Sequence, residues 1–242
     1  MSYADPKQEL TKHLDTYLAS LPLPERALTS ANIENGQRSK QVLLDGKEAT
    51  VPWLLDRLSN PDFAVKDACY DLVLEIGSPA KKVLYDELGK RSPILDIWIV
   101  SMLRYLGDES PTDRLREMLQ NPDEHVRYLS ALALAFQHLD SPTPPEEVLP
   151  VLVDALDSAR NIEGTPFTVA GSALGCLTRM TGENFLSSSQ EIIFYNYEDF
   201  LYPPPVHPFP FAADLITKAS EEEQLRIRQR ASAWLAHRDV FS

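Results

Sequence analysis

Two cysteines, five histidines, a ladder of carboxylates, one small-residue segment and one aromatic–proline segment are where this 242-residue chain could hold chemistry. A cysteine nucleophile needs a partly exposed, electropositive setting that favours its thiolate. Cys69 and Cys176 instead fall at apolar offsets of helical patterns, where a thiol packs as a small hydrophobe. Metal ligation from one helix needs histidines at i, i+3 or i, i+4. His13, His125, His138, His207 and His237 offer no such pair, and neither cysteine has a second nearby. His138, close to Asp140, reads as a helix-terminal histidine, where the dipole favours a cation. Gly171-Ser172-Ala173-Leu174-Gly175 lacks the Gly-Lys-Ser/Thr and the preceding strand of a phosphate loop, and reads as a surface for close helix packing. No catalytic, cofactor-binding or metal-binding residue is assigned, and no cofactor is expected.

Two features point instead to binding. Asp67, Asp71 and Glu75 recur at i, i+4, i+8, an acidic stripe on the face opposite Ala68, Leu72 and Ile76, with Tyr70 in the same segment and Asp96 extending it into the next unit. Like charges at this spacing cost a few tenths of a kcal/mol each. The stripe reads as a solvated face or as part of a binding surface for a basic partner. The second feature is residues 194–211, which carry Tyr195, Tyr197, Tyr202, Phe209 and Phe211 around Pro203-Pro204-Pro205 and Pro208. Such a stretch runs extended past Tyr202. It reads as a lid over the end of the fold or as a docking segment. Its Pro205-Val206-His207-Pro208 has no basic flank to anchor an SH3-type ligand.

The elements that must position these residues are helical. Hydrophobic residues make up 43% and charged residues 24%, the range of a globular chain with a sizeable core. No apolar run approaches the roughly 20 residues of a membrane-spanning helix. Met1–Leu10 shows no basic stretch followed by an apolar one, so a cytoplasmic protein with two free thiols is expected. Prolines number 19 and glycines 9, a balance suited to many helices separated by stiff corners. The net charge of -13 argues against nucleic acid, because phosphate neutralisation needs clustered Lys and Arg, and favours a basic protein partner.

A repeat near thirty residues organises the chain. Leucine pairs at i, i+4 recur at Leu54/Leu58, Leu84/Leu88, Leu115/Leu119 and Leu152/Leu156, in steps of 30, 31 and 37. Asn60-Pro61-Asp62 and Asn121-Pro122-Asp123 break the chain after the first and third pairs, and Ser92-Pro93 after the second. A second helix follows each: Val65, Ala68, Cys69, Leu72, Val73, Ile76; Leu95, Trp98, Ile99, Met102, Leu103, Leu106; Val126, Leu129, Ser130, Ala133, Leu134, Gln137; and Val169, Ser172, Ala173, Cys176, Leu177, Met180. Asp62 with Lys66, and Asp123 with Arg127, read as i, i+4 ion pairs on an exposed seam.

One such pair cannot bury its own apolar stripe, whereas stacked pairs share a core. The expected architecture is an all-α solenoid of stacked antiparallel helix pairs with helical caps at both ends, over one domain, 1–242. Residues 1–46 form an N-terminal cap led by Leu10, Leu14, Tyr17, Leu18 and Leu21, with weak periodicity beyond residue 25. Residues 47–184 hold about four repeats, 185–220 an irregular aromatic and proline-rich segment, and 221–242 a capping helix with Ile227, Ala231, Trp234 and Leu235 inward.

These residues resemble HEAT repeats, in particular the short variety shared with bilin-lyase proteins. The resemblance rests on Asn121-Pro122-Asp123-Glu124-His125-Val126-Arg127 with Ser130–Ala135, and on Ile76-Gly77 and Leu106-Gly107-Asp108, over about residues 47–184. It implies a HEAT-like superhelix, which by itself specifies no activity. The leading expectation is a non-enzymatic protein–protein interaction module for a basic partner, for instance a bacterial immunity factor or an adaptor. The alternative is an enzyme or chaperone of the bilin-lyase type acting on a tetrapyrrole-carrying protein. A HEAT-like DNA glycosylase would need a basic concave face, which -13 opposes.

Overall fold

A computed structural model describes residues 5–21, 28–139, 145–162, 165, 167–186, 216 and 219–238. Every regular element among them is a helix, apart from one antiparallel bridge between Asn161 and Thr168. The helices are α1 (Pro6–Ser20), α2 (Ser30–Asp45), α3 (Val51–Arg57), α4 (Phe63–Ile76), α5 (Ser78–Glu87) and α6 (Pro93–Tyr105). They continue as α7 (Thr112–Met118), α8 (Glu124–Gln137), α9 (Val148–Ala155), α10 (Val169–Thr181) and α11 (Glu221–Arg238). The fold is all-α and of the solenoid class. Four times, a short first helix turns a corner into a longer second one: α3/α4, α5/α6, α7/α8 and α9/α10.

The corners explain the breakers. Asn60 Oδ1 accepts the Asp62 amide at 2.8 Å and Asp62 Oδ1 accepts the Ala64 amide at 2.9 Å. Asn121 and Asp123 repeat this with the Asp123 and His125 amides, both at 2.9 Å. Asparagine thus folds the turn and aspartate caps the helix, satisfying a donor the helix start leaves open. Ser92 and Thr168 cap α6 and α10 through the amides of Leu95 and Gly171. Gly77 ends α4 at φ 73°, a backbone conformation that suits glycine.

The described residues fall into two compact units, one ending at Asp108 and the other beginning at Glu109. In the first, α1 and α2 form an antiparallel hairpin that packs on α4, and α4 packs on α3, α5 and α6. The hairpin is tight because its contacts are small: a Cβ on Gly36 would meet Ser20 Oγ at 1.7 Å, and His13 Nδ1 lies 3.3 Å from Ser39 Oγ. In the second unit α7 packs on α8, α8 on α9 and α10, and α11 on α9.

The leucine pairs are buried except Leu88, with Leu54, Leu84, Leu115 and Leu152 all at 0% exposure, and the apolar offsets are buried except Val65, Leu106 and Gln137, which are half-buried. The helix expected over part of residues 25–46 spans 30–45, its periodicity weak because only Gly36, Ser39 and Leu43 are buried on it. Two expectations change. Lys66 is not on an exposed seam: it is 1% exposed, and Asp62 spends its carboxylate on the cap. Arg127 turns to the carbonyls of Asn121 and Pro122, at 2.8 and 3.1 Å, rather than to Asp123.

The second helices are enclosed on more than one side. Every residue from Tyr128 to Ala135 on α8, and from Thr168 to Leu177 at α10, is buried. Alanine, serine and glycine at Ala131, Ala133, Ala135, Gly171, Ser172 and Gly175 leave room for that enclosure.

Candidate functional site

The carboxylates of the acidic stripe project from α4, and the structure divides them by depth. Tyr70, at 0% exposure, sets its ring edge-on to Trp98 of α6, with centroids 5.4 Å apart at 69°. Asp96, at 1% exposure, accepts the Gly89 amide at 2.9 Å and so holds the α5–α6 corner. Both belong to the interior, one through aromatic packing and the other through a backbone bond. A partner meeting the surface of this unit would touch neither.

Asp67 and Asp71 are half-buried. Burial, then the neighbouring Asp71 carboxylate, pushes the Asp67 carboxyl up to about 7. Burial, then Glu75, pushes Asp71 up to about 7, with Lys40 pulling the other way. Glu75 is exposed at the end of the ladder and pairs with Lys40 of α2 at 2.5 Å. The Lys40 ammonium also lies 5.5 Å from the centre of the Tyr17 ring on α1. Three helices therefore meet at Lys40. Its partnership with a residue 35 positions away was not legible, because α2 shows little periodicity to orient it. The arrangement can exchange a proton near neutrality, and it presents one solvent-facing carboxylate.

The cysteines are structural, both at 0% exposure. Burial pushes the Cys69 thiol up to about 12, against a small opposing effect of Arg57, and raises Cys176 as well. His138 ends α8, its amide donating to the Ala135 carbonyl, as a helix-terminal histidine should. His125 is buried at the start of the same helix. Among the described residues no three His, Cys, Asp or Glu side chains cluster as a metal site would. Tyr195, Tyr197, Tyr202, Phe209 and Phe211 lie outside the described residues.

The arginines supply what sequence reasoning missed. Arg91 binds Glu87 and Asp56, each at 2.5 Å, tying α5 to α3. Arg116 bridges Asp113 and Glu147 at 2.7 and 3.1 Å. Arg228 reaches Asp157 at 2.7 Å, and Arg226 pairs with Glu222. Arg230 donates to the carbonyls of Phe185 and Leu186 at 3.3 and 2.8 Å, next to the edge-on contact of Phe185 with Trp234. Many of these partners lie more than thirty residues apart, beyond the reach of local spacing.

Residues 81–163 match a family model described as HEAT repeats. That stretch thus carries HEAT-like repeats, the match running from α5 into the segment after α9. No curated protein and no solved structure matches it.

Proposed function

We propose that this chain is a non-enzymatic interaction module that binds a basic protein partner through its outward carboxylates. HEAT-like pairs carry the architecture of such modules, which present extended surfaces built from successive repeats. The observation that carries the sign of the partner is how the cations are used. With 23 Lys and Arg against 36 Asp and Glu, the chain is already short of positive charge. Arg38, Arg91, Arg114, Arg116, Arg160, Arg226 and Arg228 each pair with a carboxylate of the same chain. The surplus acid is what remains to meet a partner, and a surface of one sign steers the opposite sign towards it. A cytoplasmic immunity factor neutralising a basic toxin, or an adaptor, is a form this reading takes.

Affinity capture with the full chain as bait, eluted in a salt gradient, tests it. The expected result is a stoichiometric partner of basic isoelectric point, released as ionic strength rises from about 50 to 500 mM and screening shortens. Recovery of acidic partners only, or of none across native lysates and salt conditions, would sink the reading.

A further inference from the structure

The C-terminal helix runs against the charge of the rest. In a chain of net charge -13, three of the five residues 226–230 are arginines. Arg226 is taken up within the helix, by Glu222 and by Glu223 at 3.9 Å. The other two reach across to different elements. Arg228 binds Asp157, just past the end of α9, at 2.7 Å. Arg230 donates to the carbonyls of Phe185 and Leu186, beyond α10, at 3.3 and 2.8 Å. On the same helix Ile227 and Ala231 are fully enclosed, and Trp234 stands edge-on to Phe185 with ring centroids 6.2 Å apart. α11 therefore lies on α9 as a basic amphipathic helix docks on a surface of complementary charge.

We propose that α11 is an autoinhibitory stand-in: it occupies, within the chain, the α9 surface that an arginine-bearing amphipathic helix of the basic partner takes, and that helix binds by displacing it. This rests on the basic partner proposed above, and gives that partner's contact a place and a shape.

Three features suit α11 to leaving. Its ion pair to α9 is with a carboxylate 65% exposed, a setting in which a pair contributes little and one cation readily replaces another. Its fully enclosed side chains are Ile227 and Ala231, whereas α10 is buried without a break from Val169 to Leu177. And α11 supports its own form: Glu221, Glu222 and Glu223 complement its N-terminus, and Glu222 with Arg226 runs acid first at i, i+4. Asp154, exposed on the last turn of α9, offers an incoming arginine a second carboxylate close to Asp157.

A labelled peptide of residues 219–238, titrated against the full chain by fluorescence anisotropy, tests this. A site filled by its own helix shows only the share of its affinity that its vacancy allows, so the native chain should bind the peptide weakly. Arg228→Ala with Arg230→Ala loosens the resident helix and leaves the α9 surface intact, and this variant should bind about tenfold more tightly. Adding Asp157→Arg should remove the gain. Equal affinity in the native chain and the double variant, no binding to either, or a gain that survives Asp157→Arg overturns the proposal. Should the double variant fail to fold, hydrogen exchange on the isotope-labelled native chain with excess unlabelled peptide decides. Loss of protection in α11 while α8 and α10 keep theirs supports displacement, and unchanged protection in α11 overturns it. A basic partner captured by a chain that exchanges no peptide sinks this inference alone, whereas peptide exchange with no basic partner in any lysate sinks the function proposed above instead.

Discussion

At the scale of single residues, Asp62 and Asp123 do the same job twice. Each accepts an amide of the first turn of its helix at 2.9 Å, and each follows an asparagine that folds the corner. Asp62→Ala and Asp123→Ala should each cost about 1 kcal/mol, and Asn at either position much less, as measured by chemical denaturation. Asp67 and Asp71 behave differently, because folding raises both. The folded state holds more protons than the unfolded one between about pH 4 and 7. Stability from this pair is therefore fully present below about pH 4, falls as pH rises through that window, and levels off above it. The coupled pair should account for a loss on the order of 3 kcal/mol, seen as a falling denaturation midpoint between pH 4 and 7 and flattened by Asn at both positions. The cysteines were legible, since their offsets coincide with buried residues of sister repeats: Ile99, Ser130 and Ala173 for Cys69, and Leu72, Met102 and Ala133 for Cys176. Lys66 was not. Its charge and its i+4 distance from an aspartate both argue for surface, and only the packing around α4 reveals the buried position.

At the scale of elements, the repeat was readable because each first helix carries a leucine pair and each second helix the same apolar offsets. The C-terminal helix was equally plain, with Ile227 and Ala231 at 0% exposure. The extent of α2 was the least legible, because its short buried set of Gly36, Ser39 and Leu43 leaves little hydrophobic signal. Gly36 is buried because helices approach closely there, a fact about two elements that one element cannot show. Gly77 ends α4, and its φ of 73° gives the reason. A Cβ there would find room, its nearest neighbours being the carbonyl oxygens of Glu75 and Leu74 at 3.8 and 3.9 Å, so the penalty is conformational rather than steric. Gly77→Ala should lower stability by about 1–2 kcal/mol without disturbing neighbouring helices, which circular dichroism and a denaturation curve together would show.

At the scale of the whole molecule, the acid excess of 13 was in the sequence from the start, but its consequence was not. Long-range pairs such as Arg91–Asp56, Arg116–Glu147 and Arg228–Asp157 consume cations that composition alone counts as available. Periodicity also presumes that a helix has one buried face. That holds for α5, where Ala80 and Leu84 are the buried residues, and fails for α8 and α10. An acidic, aromatic surface along the second helices was expected from offsets, and Tyr70 and Asp96 lie inside the core instead because those helices are packed around more of their circumference.

That enclosure has a consequence for how the chain tolerates change. A first helix such as α5 has a free side on which substitutions of almost any size are neutral, so acceptable residues along it should rise and fall with a period near 3.6. Along α8 and α10 there is no such side. A saturation scan should find an unbroken run of intolerant positions through Tyr128–Ala135 and Thr168–Leu177, with Ala131, Ala133 and Gly175 rejecting larger residues as firmly as Leu132 and Leu174 reject smaller ones. New surface can be acquired by the outer helices, turn by turn, while the inner ones stay fixed. Variation in such a chain would therefore collect in alternate elements, a thirty-residue rhythm of freedom and constraint.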